Sequence, residues 1–240
     1  METRIFADDH LLAEAAAGEI LEQVIGKPAS VLCLASGDTP RLAYRRVVER
    51  ATTEGIDFSQ VHWVSLDEWV GIEATNPGSC YYFLNETLFS PLDIQPSQIH
   101  FFNGLSTSLS DACLQMDNLI ARLGGIDLIL LGVGMNGHLG FNEPGVRPDL
   151  KALVIELDPV TVKVGQKYFP QAATLSKGIT LGLAHLLAAR TALMMASGQK
   201  KAAIVREALQ GDISNRLPAS MIRAHPHALT LLDQAAASLL

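Results

Sequence analysis

Basic residues are in short supply in this sequence. Eighteen Lys and Arg stand against 25 Asp and Glu among 240 residues, a formal net charge of −7. A nucleic-acid surface needs clustered Lys and Arg to neutralise phosphates, so this balance excludes general nucleic-acid binding. A small anion needs only one local positive site and is not excluded. Long apolar runs are also missing. The longest, such as Ile126 to Val133, fall far short of the roughly 20 residues that cross a bilayer, which argues against membrane insertion. The first residues, Met1-Glu2-Thr3-Arg4-Ile5-Phe6-Ala7-Asp8-Asp9, carry acids where a secretory signal has a basic start and an apolar core. Cysteine is sparse and odd in number. Cys33, Cys80 and Cys113 have neither metal-type nor redox spacing and read as free thiols in a reducing compartment, so the expected location is cytoplasmic. No repeat, low-complexity stretch or linker divides the chain, and at 48% hydrophobic content it can bury a sizeable core. A single domain over residues 1–240 is expected.

What is present alternates. Asp9 to Ile25 places Leu12, Ala16, Ile20 and Val24 at helical intervals and is stopped by Gly26 and Pro28. Short apolar runs at Ser30 to Leu34, Val61 to Leu66, Ile99 to Phe102, Ile126 to Leu131, Ala192 to Ala196 and Ala228 to Leu231 read as strands. Between them, Tyr81 to Leu88, Ser110 to Leu123, Thr180 to Ala189 and Lys200 to Leu209 read as helices, and another opens near Pro40. This order predicts an α/β fold: an open, mostly parallel sheet of Rossmann-like type, with helices on both faces. In such sheets ligands bind beyond the carboxyl ends of the strands, so the residues just after each strand matter most.

After the first of these strands, Ala35-Ser36-Gly37-Asp38-Thr39-Pro40 is a small-residue turn that opens into a helix. Free backbone N–H groups at a positive helix end suit a phosphate, while Thr39 could equally be an ordinary helix cap. After the second come two adjacent acids, Leu66-Asp67-Glu68-Trp69, either a general base at the crevice or a helix cap. The loop from Gly132 to Pro144 contains a formal G-x-G-x-x-G, with Glu156 at the dinucleotide-fingerprint distance. That fingerprint must open a helix, and Gly140, Asn142 and Pro144 make one unfavourable here. The glycines instead let a tight loop approach a small ligand, with His138 and Glu143 projecting into one crevice. A carboxylate beside a histidine fixes its tautomer and raises its basicity.

Three motifs, Ser36-Gly37-Asp38-Thr39-Pro40, Leu66-Asp67-Glu68-Trp69-Val70-Gly71 and Gly137-His138-Leu139-Gly140-Phe141-Asn142-Glu143-Pro144, resemble the glucosamine-6-phosphate deaminase family over nearly the whole chain. The resemblance implies an open α/β sheet and conversion of an aminosugar 6-phosphate plus water to a ketose 6-phosphate and ammonia, with no metal or nucleotide cofactor. By the same resemblance Asp67 is the base that moves a proton between C2 and C1, and His138 opens the pyranose ring. Asn136 and Glu143 orient that histidine. Ser36, Gly37, Asp38, Thr39 and Gly137 would contact the sugar phosphate, with Lys167 and Lys201 supplying charge. The partner implied is a small sugar phosphate, and a homo-oligomer is compatible with it.

Several positions depart from the family pattern. Asp38 places a negative charge where glycine is frequent, Trp69 replaces a common Tyr, and Lys167 stands where many members have an Arg, losing its bidentate fork. The pairing of Leu66-Asp67-Glu68-Trp69 with Gly137-His138-Leu139-Gly140 looks particularly like members acting on galactosamine 6-phosphate. Some members are activated at a subunit interface through a Ser, an Arg and a Lys, which fall here at Val146, Leu153 and Ile155. Two alternatives share the architecture. A 6-phosphogluconolactonase typically has Asp-Glu-Arg after the second strand and no Phe-Asn-Glu-Pro, so Trp69 and Glu143 weigh against it. A sugar-phosphate-binding regulatory module would carry a DNA-binding segment ahead of a domain that begins here almost at once.

Overall fold

The computed structural model describes residues 1–240. The chain opens with β1 (Glu2–Phe6) and α1 (Asp9–Gly26). Asp8 starts α1 by accepting from the Leu11 N–H at 2.8 Å, which satisfies one of the donors a first turn leaves free. Leu12, Ala16, Ile20 and Val24 form its buried face, as the helical spacing predicts, and α1 packs against α2 (Asp38–Glu54). Between the two helices lies β2 (Val31–Leu34), buried at every residue. Next come β3 (His62–Val64), β4 (Asp67–Trp69), α3 (Cys80–Leu84), which continues as a π-helical turn over Asn85–Phe89, and β5 (Ile99–His100). Helix α4 (Leu109–Arg122) leads into β6 (Leu128–Gly132). The remainder is β7 (Leu153–Glu156), α5 (Pro159–Gly165), β8 (Lys177–Thr180), α6 (Leu183–Ala188), β9 (Thr191–Ala196), α7 (Ala202–Gln210) and β10 (Ala228–Asp233).

Seven strands form one parallel sheet in the order β1-β10-β9-β6-β2-β3-β5. Successive residues point to opposite faces, so strands such as β2 and β10, buried throughout, must be covered on both sides. The chain leaves β2 towards β3 and leaves β6 towards β9, although β2 and β6 are neighbours. The loops after these two strands diverge and open a crevice at the carboxyl edge, the place where ligands bind in open α/β sheets.

Three strands lie outside this sheet. β4, β8 and β7 form a small antiparallel sheet in which Asp67 pairs with Thr180 and Trp69 with Gly178. The helix expected from Thr180 therefore begins only at Leu183, because Thr180 is the last residue of β8. Its hydroxyl lies 3.2 Å from the Leu66 carbonyl and 3.1 Å from that of Leu181, and it accepts from the Phe141 N–H at 3.2 Å. Both motif loops are thus tied to one side chain. No helix is long and apolar enough to cross a membrane. The three cysteines are free and buried.

Candidate active site

A cavity of about 360 Å³ opens where the loops after β2 and β6 diverge, roofed by α5 and the turn at its end. Ser36, Gly37, Asp38 and Thr39 line one end, together with Lys167 and Lys201, while Asp67 and His138 line the interior. The turn after β2 ends at Gly37, which has φ 125° and precedes the first turn of α2 with no side-chain cap on the helix. Thr39 is therefore not the cap. The backbone there requires glycine, and the N–H groups of the first turn are left to an anion.

The two adjacent acids have separate tasks. Glu68 is buried and accepts from the Trp69, Cys80 and Tyr81 N–H groups at 2.9, 3.0 and 3.0 Å and from the Ser79 hydroxyl at 2.7 Å. It binds β4 to the start of α3 and is the structural member of the pair. Asp67 faces the cavity. Burial raises its pKa to about 7, with the Glu68 charge adding to the rise and a hydrogen bond from the Cys80 thiol opposing it. A carboxyl poised there can take and return a proton near neutral pH.

His138 stands in a loop that folds back on itself, where the Gly134 N–H donates to the His138 carbonyl at 3.0 Å. A β-carbon on Gly134 would come within 2.4 Å of the imidazole, so only glycine fits beneath the ring. No helix comes after the loop, in agreement with the rejection of a dinucleotide fingerprint. Nδ1 of His138 lies 3.0 Å from the Thr161 hydroxyl and 3.5 Å from Glu143 Oε2, and Nε2 has no hydrogen-bond partner within the protein. Asn136 donates from Nδ2 to Glu143 Oε2 at 2.8 Å and accepts from the His138 N–H at 3.3 Å. The Asp158 N–H donates to Glu143 Oε1 at 3.2 Å. Burial pushes Glu143 up, but its contacts with His138, Thr161 and Asn136 outweigh it and hold the carboxyl below its ordinary value.

Two expectations need correction. Glu143 does not project into the crevice; it is buried behind His138. Asn136 stands beside it, outside the cavity wall, bonded to Glu143 and to the His138 N–H, a position from which it can orient the histidine. Gly137 does not contact the cavity either. With φ 81° it turns the loop, and a β-carbon there would meet Leu217 at 2.1 Å. Sequence reading also missed three residues. Thr161 arrives on α5, Cys80 touches Asp67, and Thr180 ties the two loops; Trp69, singled out in its motif, packs 4.6 Å from Phe141, ring centre to ring centre. Asp158-Pro159 was a readable helix start that would have indicated α5, because Asp158 accepts from the Val160 N–H at 2.7 Å.

At the far end, Lys201 lies just beyond β9 and donates to the Val133 carbonyl. Burial, then the nearby Lys167 charge, lower its pKa to about 8. Lys167 reaches in from the turn after α5 and pairs with Asp38 at 2.6 Å. No group of three or more His, Cys, Asp or Glu side chains is placed to hold a metal ion.

The family model for glucosamine-6-phosphate isomerases and 6-phosphogluconolactonase matches residues 7–231. A glucosamine-6-phosphate deaminase of Rhodopirellula baltica is 39% identical over 241 aligned positions, covering 100% of this chain and 96% of that protein. One from a Geobacillus species is 39% identical over 229 positions, covering 95% and 91%. The solved structure of a monomeric glucosamine-6-phosphate deaminase superposes with a TM-score of 0.97 at 34% identity, covering 100% of both chains. A 6-phosphogluconolactonase from Trypanosoma brucei shares the fold, with a TM-score of 0.79 at 19% identity. With its three motifs gathered at one cavity and full-length relatives of this kind, the chain belongs to the glucosamine-6-phosphate deaminase family.

Proposed function

We propose that this protein converts an aminosugar 6-phosphate and water into a ketose 6-phosphate and ammonia, with residues 1–240 as one catalytic domain. The observation that carries the reading is a buried carboxyl, Asp67, with a pKa of about 7 in the same cavity as an imidazole backed by Glu143 and Thr161. In this reading the phosphate sits on the Ser36 to Thr39 turn with Lys167 and Lys201, and the sugar extends towards Asp67 and His138. His138, through its free Nε2, moves a proton between the ring oxygen and the anomeric hydroxyl and opens the pyranose. Asp67 then removes the proton at C2, giving an enediol-type intermediate that carries the amine. The same carboxyl returns the proton to C1. Water adds to the resulting imine carbon, and ammonia leaves. One group acting first as base and then as acid works best with a pKa near the working pH, which burial supplies.

Glucosamine 6-phosphate is the substrate favoured by the names of the relatives, and galactosamine 6-phosphate is the second candidate, on the sequence pairing around Asp67 and His138. Every group assigned a step comes from one chain, so we expect a monomer to be active, and we place the reaction in the cytoplasm with its buried free thiols. The test is ammonia release and ketose 6-phosphate formation from each aminosugar phosphate, beside hydrolysis of 6-phosphogluconolactone. Lactone hydrolysis without ammonia release would overturn the assignment.

A further inference from the structure

The end of the cavity assigned to the phosphate carries an acid of its own. Asp38 is the first residue of α2, and its Oδ2 lies 2.6 Å from Lys167 Nζ. Lys167 and Tyr168 belong to one short helical turn, Gln166–Tyr168, which lies across the loop after β2. Lys167 Nζ stands 4.8 Å from the centre of the Tyr168 ring, and the Tyr168 hydroxyl lies 3.4 Å from where a β-carbon on Gly37 would be. The Asp38 carboxylate thus takes one attraction an incoming anion would use, the Lys167 ammonium, and places a negative charge beside the other, the start of α2. Yet the pair is open to water, with 51% of the Lys167 side chain and 59% of the Asp38 side chain exposed. Pairs this exposed contribute little to folding and exchange readily.

We propose that Asp38 stands in for the substrate's phosphate in the free protein, occupying Lys167 in a pair that the phosphate must displace. The proposal rests on the reading that this end receives the phosphate. Its basis is the order of strengths: a phosphate dianion offers three acceptor oxygens and about two charges, against one charge on the carboxylate. A free anion must break the pair and gains only the contacts at this end, Lys167, Lys201 and the start of α2. A sugar phosphate bears the same cost and recovers it from contacts along the rest of the cavity, so Asp38 weakens the binding of inorganic phosphate and raises the substrate's KM alike. Burial lowers the pKa of Lys167, but its contacts with Asp38 and Tyr168 reverse this and hold it above the ordinary value, so the ammonium is charged for the exchange.

Calorimetric titration with inorganic phosphate tests the proposal on the wild type, Asp38→Asn, Lys167→Met and the double variant. Asp38→Asn should tighten phosphate binding by about two- to fivefold, the scale of an exposed pair, and Lys167→Met should weaken it. The gain from Asp38→Asn should shrink in the Lys167→Met background, where no pair remains to break. In turnover, KM for the aminosugar phosphate should fall in Asp38→Asn with kcat nearly unchanged. Phosphate affinity unchanged or weaker in Asp38→Asn, while Lys167→Met still weakens it, overturns the stand-in and leaves the phosphate assignment intact. Affinity untouched by Lys167→Met overturns both.

Discussion

The Thr161 hydroxyl lies 3.0 Å from Nδ1 of His138, joining α5 to the catalytic loop. This contact, with Glu143 at 3.5 Å on the same nitrogen, orients the ring so that Nε2 is the one left for the sugar. Thr161→Val keeps the shape and removes the hydroxyl. Loss of one such hydrogen bond should lower kcat by about 2- to 12-fold, with thermal unfolding little changed. Steady-state kinetics beside a melting curve checks it, and a kcat equal to wild type would remove Thr161 from the orientation of His138.

Asp67→Asn should affect turnover and stability in opposite directions. Turnover should fall by about 10²-fold or more, because the amide cannot act as a base. For stability, the carboxyl has a pKa of 3.8 as an ordinary Asp and about 7 in the folded protein. Between those values the unfolded chain has lost a proton that the native state retains, so stability falls as pH rises through the window and the loss is complete above it. The difference corresponds to a penalty on the order of 4 kcal/mol at pH 8. The variant should therefore melt above wild type at pH 8 and level with it near pH 4.

The rate should depend on pH from both sides. Asp67 must be ionised to abstract a proton, so kcat/KM should rise as pH passes through about 7. Lys201 must be charged to meet the phosphate, so kcat/KM should fall again through about 8. Lys201→Arg carries a guanidinium that does not deprotonate in this range, and it should move the alkaline limb upward while leaving the acid limb in place. An alkaline limb that does not move would show that Lys201 is not its source.

No activation by N-acetylglucosamine 6-phosphate is expected at the positions aligned with the family's activator site. Val146 is buried, and Leu153 and Ile155 on β7 are half-buried; an apolar triplet of this kind offers a phosphate dianion no partner, and burying the charge would cost several kcal/mol. Initial rates against substrate should give hyperbolic curves that overlay with and without the compound. A sigmoidal curve made hyperbolic by it would show reciprocal coupling through a site placed elsewhere.

Much of this architecture is legible along the chain. The apolar runs at β2, β6, β9 and β10 announce strands buried on both faces, and their alternation with helical segments leads to a parallel sheet. The segments just after β2, β3 and β6 identify Gly37, Asp67 and His138 as residues of the crevice, because turn glycines and polar side chains beyond a buried strand are local signals. The division of labour between Asp67 and Glu68 is not local. Glu68 becomes a cap only when α3 arrives against β4, and Asp67 becomes a base of pKa about 7 only when the surrounding elements exclude water from it.

The sequence by itself determined the class of sheet, the loops that carry the chemistry and the residue types within them, since each stems from periodicity or from backbone demands spanning a few residues. Tertiary structure decided that Glu143 stands behind His138, that Thr161 holds the same ring, that Thr180 ends a strand tied to both loops, and that Asp38 meets Lys167. The last pair joins residues 129 positions apart. No local propensity encodes such a contact, because its energy exists only after the sheet has folded and brought the two loops to one edge.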